Sequence, residues 1–201
     1  MTSAAAAPMR YPVLADVLPR SQAKDATLVL GAALLTALLA QVAVPVAGSP
    51  VPITGQTLAV VLTAAALGPA RGVAGQGAYL LLGMVGLPFF SDASGGVDVV
   101  LGATGGYLVA FLPAALLIGA AVRRGADRHV LPAVLLFVAG QLVIFGIGVP
   151  WLAVVADLSA GQAVAAGFTP FVVGGLVKAV LAGLLLPAAW RLVGAADGRR
   201  D

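Results

Sequence analysis

Six apolar runs divide this chain, and nearly every charged residue falls between them. They lie at about 25–47, 56–67, 72–87, 104–122, 130–156 and 170–193. A helix needs about 20 apolar residues to cross a bilayer, whose interior offers the backbone no outside hydrogen-bond partner. With 61% hydrophobic and only 9% charged residues, the chain has too little polar surface to coat a water-soluble domain of this length. The sequence therefore predicts an all-α polytopic membrane protein. Six transmembrane helices would fill residues 25–194, between tails at 1–24 and 195–201. The short runs 56–67 and 72–87 flank Gly68-Pro69-Ala70-Arg71 and read as two helices, with a re-entrant pair as the alternative. The segment before the first run could pass for a signal-peptide n-region, but no cleavage signature with a polar mature chain follows it, so a retained first helix is expected.

Basic residues set the orientation, because Lys and Arg collect in cytoplasmic loops. Arg10, Arg20 and Lys24 precede the first run, and Arg71 separates the second from the third. Arg123, Arg124 and Arg128 separate the fourth from the fifth, and Arg191, Arg199 and Arg200 close the sixth. The alternate loops, 48–55, 88–103 and 157–169, hold no base, and their acids are Asp92, Asp98 and Asp157. Six spans with both termini cytoplasmic satisfy this alternation. The net charge of +3 does not point to nucleic acid, because the bases form no stripe or stacking platform. Cysteine is absent, which removes disulfides and thiolate chemistry.

Lys178 breaks the pattern. It lies several residues inside the sixth run, near its external end, beside Gly174, Gly175, Ala179 and Ala182. A lysine at mid-membrane costs about 2.5–3.5 kcal/mol on insertion scales, so it pairs or faces a cavity. Its ammonium suits a ligand carboxylate; snorkelling to the interface or pairing with Asp157 is the structural alternative. Thr104-Gly105-Gly106-Tyr107 opens the fourth run with small residues that let a ligand approach a helix N-terminus, although a plain turn reads the same way. Tyr107, Phe89 and Phe90 suit either a pocket wall or an interfacial belt. Gln56, Gln76 and Gln141 must each find partners in a ligand or a neighbouring helix. Ala33 and Ala37 share a small-residue face suited to close helix packing.

Enzyme machinery is not expected. Glutamate is absent and the single histidine, His129, lies in a basic loop. No set has metal-ligand spacing or forms a Ser–His–Asp arrangement on one side of the membrane. No Gly-Lys-Ser/Thr ending marks a nucleotide-binding loop, so no cofactor is expected.

An ordered series of segments resembles the BioY family, the biotin-binding S-components of energy-coupling factor (ECF) vitamin transporters. These are Val51-Pro-Ile-Thr-Gly-Gln-Thr-Leu-Ala59, Leu67-Gly-Pro-Ala-Arg-Gly72, Tyr79-Leu-Leu-Leu-Gly-Met-Val-Gly-Leu-Pro-Phe-Phe90, Gly102-Ala-Thr-Gly-Gly-Tyr-Leu108, Gly140-Gln-Leu-Val143 and Gly174-Gly-Leu-Val-Lys178. The resemblance implies a six-helix S-component of a bacterial cell membrane. It would bind biotin from outside and deliver it inward with a transmembrane coupling protein and paired cytosolic ATPases. An S-component for another vitamin, or a small secondary transporter, is the alternative. By this resemblance Lys178 receives biotin's carboxylate, while Thr104, Gly105, Gly106 and Tyr107, with the loop before the second helix that holds Thr54, help enclose the bicyclic head; Gln56, Phe90 and Gln141 are the further pocket candidates from the residues themselves. Ala33 and Ala37 meet the coupling protein. Relatives often carry Gly-Asp ahead of this lysine, where this chain has Gly174-Gly175; Asp92 or Asp157 would then supply the missing carboxylate.

Overall fold

The computed structural model describes residues 11–19 and 21–197. Arg10, Arg20, Arg199 and Arg200 of the charge argument lie outside the described residues. A short 3-10 turn, Leu14–Val17, precedes α1 (Gln22–Ala40). A two-stranded ladder, β1 (Ala43–Val44) and β2 (Ile53–Thr54), leads to α2 (Gln56–Leu67) and α3 (Pro69–Met84). Then follow a 3-10 turn at Ser91–Ala93, α4 (Val97–Leu101), α5 (Gly105–Val122), α6 (Val130–Val155), α7 (Ala160–Gly167) and α8 (Phe171–Asp197). The six expected runs correspond to α1, α2, α3, α5, α6 and α8. Of these, α1, α5, α6 and α8 are long and apolar enough to cross a membrane.

The first run is shorter than its hydropathy suggests, because α1 ends at Ala40 rather than near residue 47. Pro45 disfavours helical geometry at Val44, and Gly48, Pro50 and Pro52 prevent recovery. The freed backbone pairs instead across the ladder, Ala43 with Thr54 and Val44 with Ile53. Between α2 and α3 a single residue makes the turn. Gly68 takes φ +80°, a region open mainly to glycine, and Pro69 starts α3 at a position where its missing N–H costs nothing. The stretch 88–103 holds the second 3-10 turn and α4, and 157–169 holds α7, which begins on a reciprocal Ser159–Gln162 capping box.

At 12 residues, α2 is about 18 Å long and too short to span the bilayer's ~30 Å. It is the inner helix, with Val60, Val61, Ala64 and Ala65 fully buried. Its polar groups are satisfied by other helices: Gln76 of α3 donates to Thr36 of α1 (3.2 Å) and Thr63 of α2 (3.1 Å). Each such interhelical bond contributes roughly 0.6 kcal/mol on average in a membrane. Outward faces are leucine and valine, as on Leu34, Leu38, Leu142, Val154 and Leu184, the surface that lipid requires.

Part of the expected 1–24 tail packs across the end of the bundle that carries the bases. Val13 is fully buried, and Asp16 pairs with Arg71 (3.3 Å) before α3's second turn and Arg123 (2.6 Å) after α5. Burial works to raise the Asp16 pKa, but the Val13 N–H and both guanidinium groups outweigh it and hold it below the ordinary value of 3.8. A depressed carboxyl pKa stabilises the fold above the unfolded-state value, and that contribution disappears as pH falls through the folded-state value. Asp16→Asn should therefore lower the melting temperature at neutral pH, with the difference from the parent protein closing below about pH 3.8. Melting curves of both proteins in detergent across pH 3–7 check this.

Candidate functional site

Two of the three base-free loops, 48–55 and 88–103, help enclose a cavity at one end of the bundle. Its walls come from Val51, Pro52 and Thr54 of the first loop, Phe90 and Ser91 of the second, and residues on α2, α5, α6 and α8. In this conformation the cavity volume is about 50 Å³, room for a few waters. A bicyclic ligand would have to spread these side chains.

Lys178 reaches into this space from the second turn of α8. Its Nζ donates to the Thr54 carbonyl (2.7 Å) and the Thr57 hydroxyl (3.0 Å). Neither snorkelling nor an acid partner explains its position: it is part-buried at the cavity, and no ion pair among the described residues includes it. An ammonium carries three donors, so one remains after these two bonds. The start of α2 lies at the same place and has no side-chain cap. Its free N–H groups carry partial positive charge. Cation and helix end together favour an anion.

Thr54, Gln56, Phe90, Thr104, Tyr107, Gln141 and Lys178 all line the cavity. The Gln56 amide is already used: it donates to the Tyr79 hydroxyl and accepts from Thr54 (2.6 Å). Phe90 is buried edge-on against Tyr79, with centroids 5.6 Å apart, so it is no belt residue. The Tyr107 hydroxyl donates to the Gly167 carbonyl (2.9 Å), tying α5 to α7. Gln41, which the sequence reading passed over, fixes the second loop: it donates to the Phe90 carbonyl (3.0 Å) and accepts from the Ala93 N–H (2.9 Å).

Four expected pocket residues lie elsewhere. Gly105 and Gly106 are buried, and a β-carbon there would run into the Val100 carbonyl and Trp151 respectively. Their smallness admits protein neighbours, not a ligand. Asp92 and Asp157 are exposed in left-handed turns, with φ 57° and 51°. Asp is one of the few non-glycine residues tolerated there, and neither carboxylate lines the cavity. Ala33 and Ala37 are also corrected: at 0% and 7% exposure they pack inside the chain, so neither presents an outer surface to a partner. Conversely, Thr57, Ser91, Phe111, Ile144, Phe145 and Phe171 line the cavity without having been anticipated. Helical spacing could have found several. Phe111 is four residues from Tyr107, and Ile144 and Phe145 are three and four from Gln141.

The BioY family model matches residues 10–195. The biotin transporter BioY2 of Lactococcus lactis subsp. cremoris is 38% identical over 76% of this chain and 81% of its own. The probable biotin transporter BioY of Pyrococcus horikoshii is 38% identical over 80% of this chain and 93% of its own. Among solved structures, the S-component for biotin from an ECF-type ABC transporter superposes with a TM-score of 0.78 at 23% identity, covering 86% of this chain and 95% of that one. With a family match over nearly its full length, and a fold shared with that structure, the chain belongs to the BioY family.

Proposed function

We propose that this chain is the biotin-capturing membrane subunit of an ECF transporter, taking biotin from the external side and delivering it to the cytoplasm. The observation that carries the reading is Lys178, an ammonium with a donor to spare at the uncapped start of α2, in a cavity whose remaining walls combine apolar and aromatic side chains with a few neutral polar ones. Biotin matches that distribution: a carboxylate at one end, an alkyl chain and thiolane between, and a neutral cyclic urea at the other. Relatives described as biotin transporters, at 38% identity, support the substrate.

The base-carrying end faces the cytoplasm by the positive-inside rule, which puts both termini there and the cavity outside, in the inner membrane of a bacterial cell. The chain carries no phosphate-binding loop, so ATP-driven uptake rests on a transmembrane coupling protein and paired ATPases. The role is transport, not catalysis. Equilibrium binding of radiolabelled biotin to the purified protein in lipid nanodiscs tests the reading: saturable binding at one site per chain is expected. Absence of binding by the parent protein would overturn it.

A further inference from the structure

Of Gln56, Gln76 and Gln141, two are fully engaged by the protein and one is not. Gln56 bonds Tyr79 and Thr54, and Gln76 bonds Thr36 and Thr63. Gln141 of α6 is 7% exposed and makes no hydrogen bond among the described residues, and its Oε1 is a buried acceptor without a donor. A buried amide with every site unused is costly, yet Gln141 lines the cavity.

Its neighbour across the helix interface is Gly175 of α8. A β-carbon at 175 would lie 3.3 Å from Gln141 Nε2, with no other atom within 4 Å. Position 175 is three residues before Lys178, hence on the same face of α8. Glycine there leaves the amide beside the cavity uncovered. Lys178 Nζ is directed to β2 and the start of α2, whereas Gln141 is on α6. The charged and the neutral polar group thus belong to different walls.

We infer that Gln141 is a specificity-determining residue that recognises the neutral polar head of the ligand, its Oε1 accepting a cyclic-urea N–H, and that Gly175 leaves it free to do so. The inference rests on the biotin reading, and the experiment separates the two. Biotin and a biotin methylated on its urea nitrogens are titrated against the parent protein, Gln141→Leu and Gln141→Met. The parent protein should bind biotin and lose about tenfold to a hundredfold in affinity on methylation. Both variants should bind biotin more weakly by a similar factor and discriminate little between the two ligands, the non-additivity of a direct contact. Sensitivity to amidation of the carboxylate should be unchanged in them, because Lys178 is intact. A parent protein indifferent to methylation, or a variant that keeps the full methylation penalty, overturns the Gln141 assignment while leaving biotin binding standing. Should a variant fail to fold, the parent protein's response to methylation still decides against the assignment if it is absent. No biotin binding by the parent protein overturns the functional reading itself.

Discussion

Lys178→Ala is expected to weaken biotin binding by at least about a hundredfold. Removing one partner of a desolvated ion pair costs about 3–5 kcal/mol, and each 1.4 kcal/mol is a tenfold change in affinity. The protein itself should survive the change. The ammonium is half-buried and satisfied by two neutral oxygens, Thr54 O and Thr57 Oγ1. Its loss leaves a carbonyl and a hydroxyl, not an orphaned charge. A loss of affinity could still arise indirectly, through relaxation of the β2–α2 junction that Lys178 braces. Biotin and its primary amide distinguish the cases. The parent protein should prefer the acid strongly, whereas Lys178→Ala should bind acid and amide about equally. If the variant retains the acid's full advantage over the amide, Lys178 does not receive the carboxylate. Lys178→Arg should recover part of the preference, because it restores charge in a different shape within a cavity of only about 50 Å³.

The helices were legible because they depend on a one-dimensional signal, apolar run length bounded by breakers and charges. Lys178 was legible for the same reason, a charge where hydropathy forbids one. What sequence could not supply was the direction in which a residue faces, and every correction to the candidate site is of that kind. Gln56, Gln76 and Gln141 look equivalent along the chain, and only packing shows that Tyr79, Thr36 and Thr63 consume the first two. Asp92 and Asp157 looked like substitutes for an acid at 175, because an acidic side chain in an external loop reads the same whether it points to a cavity or fills a left-handed turn. Their exposure and their absence from the cavity wall decide it. Gly105 and Gly106 read as a ligand cradle by the same ambiguity, until Trp151 and Val100 are seen to occupy the space. Thr57 was missed although it lies three residues from Thr54, within the first turn of a helix.

The same ambiguity governs α1, and its resolution changes what a mutation there should do. Ala33 and Ala37 share one face with Ala32 and Thr36, and all four are buried. That face packs inside the bundle against α3 and α2, and α3 approaches so closely that a β-carbon on Gly75 would lie 2.7 Å from the Ala32 β-carbon. Thr36 completes the contact by bonding Gln76. The outward stripe is instead Leu30, Leu34 and Leu38, at 51%, 57% and 66% exposure. Ala33→Leu should therefore act as an overpacking mutation. Forcing extra methylenes into a filled helix interface costs about 1–3 kcal/mol, and separating α1 from α3 also strains the Gln76 network and the Gln41 bonds that hold the second loop. The expected result is a fall in melting temperature together with a lower fraction of protein competent to bind biotin. Leu34→Ala, on the lipid face one residue away, should change neither measurably. Thermal unfolding and active-site titration of both variants make the comparison. If Ala33→Leu melts like the parent protein and binds biotin fully, the inward packing of α1's small-residue face is wrong, and that face is free to serve another chain.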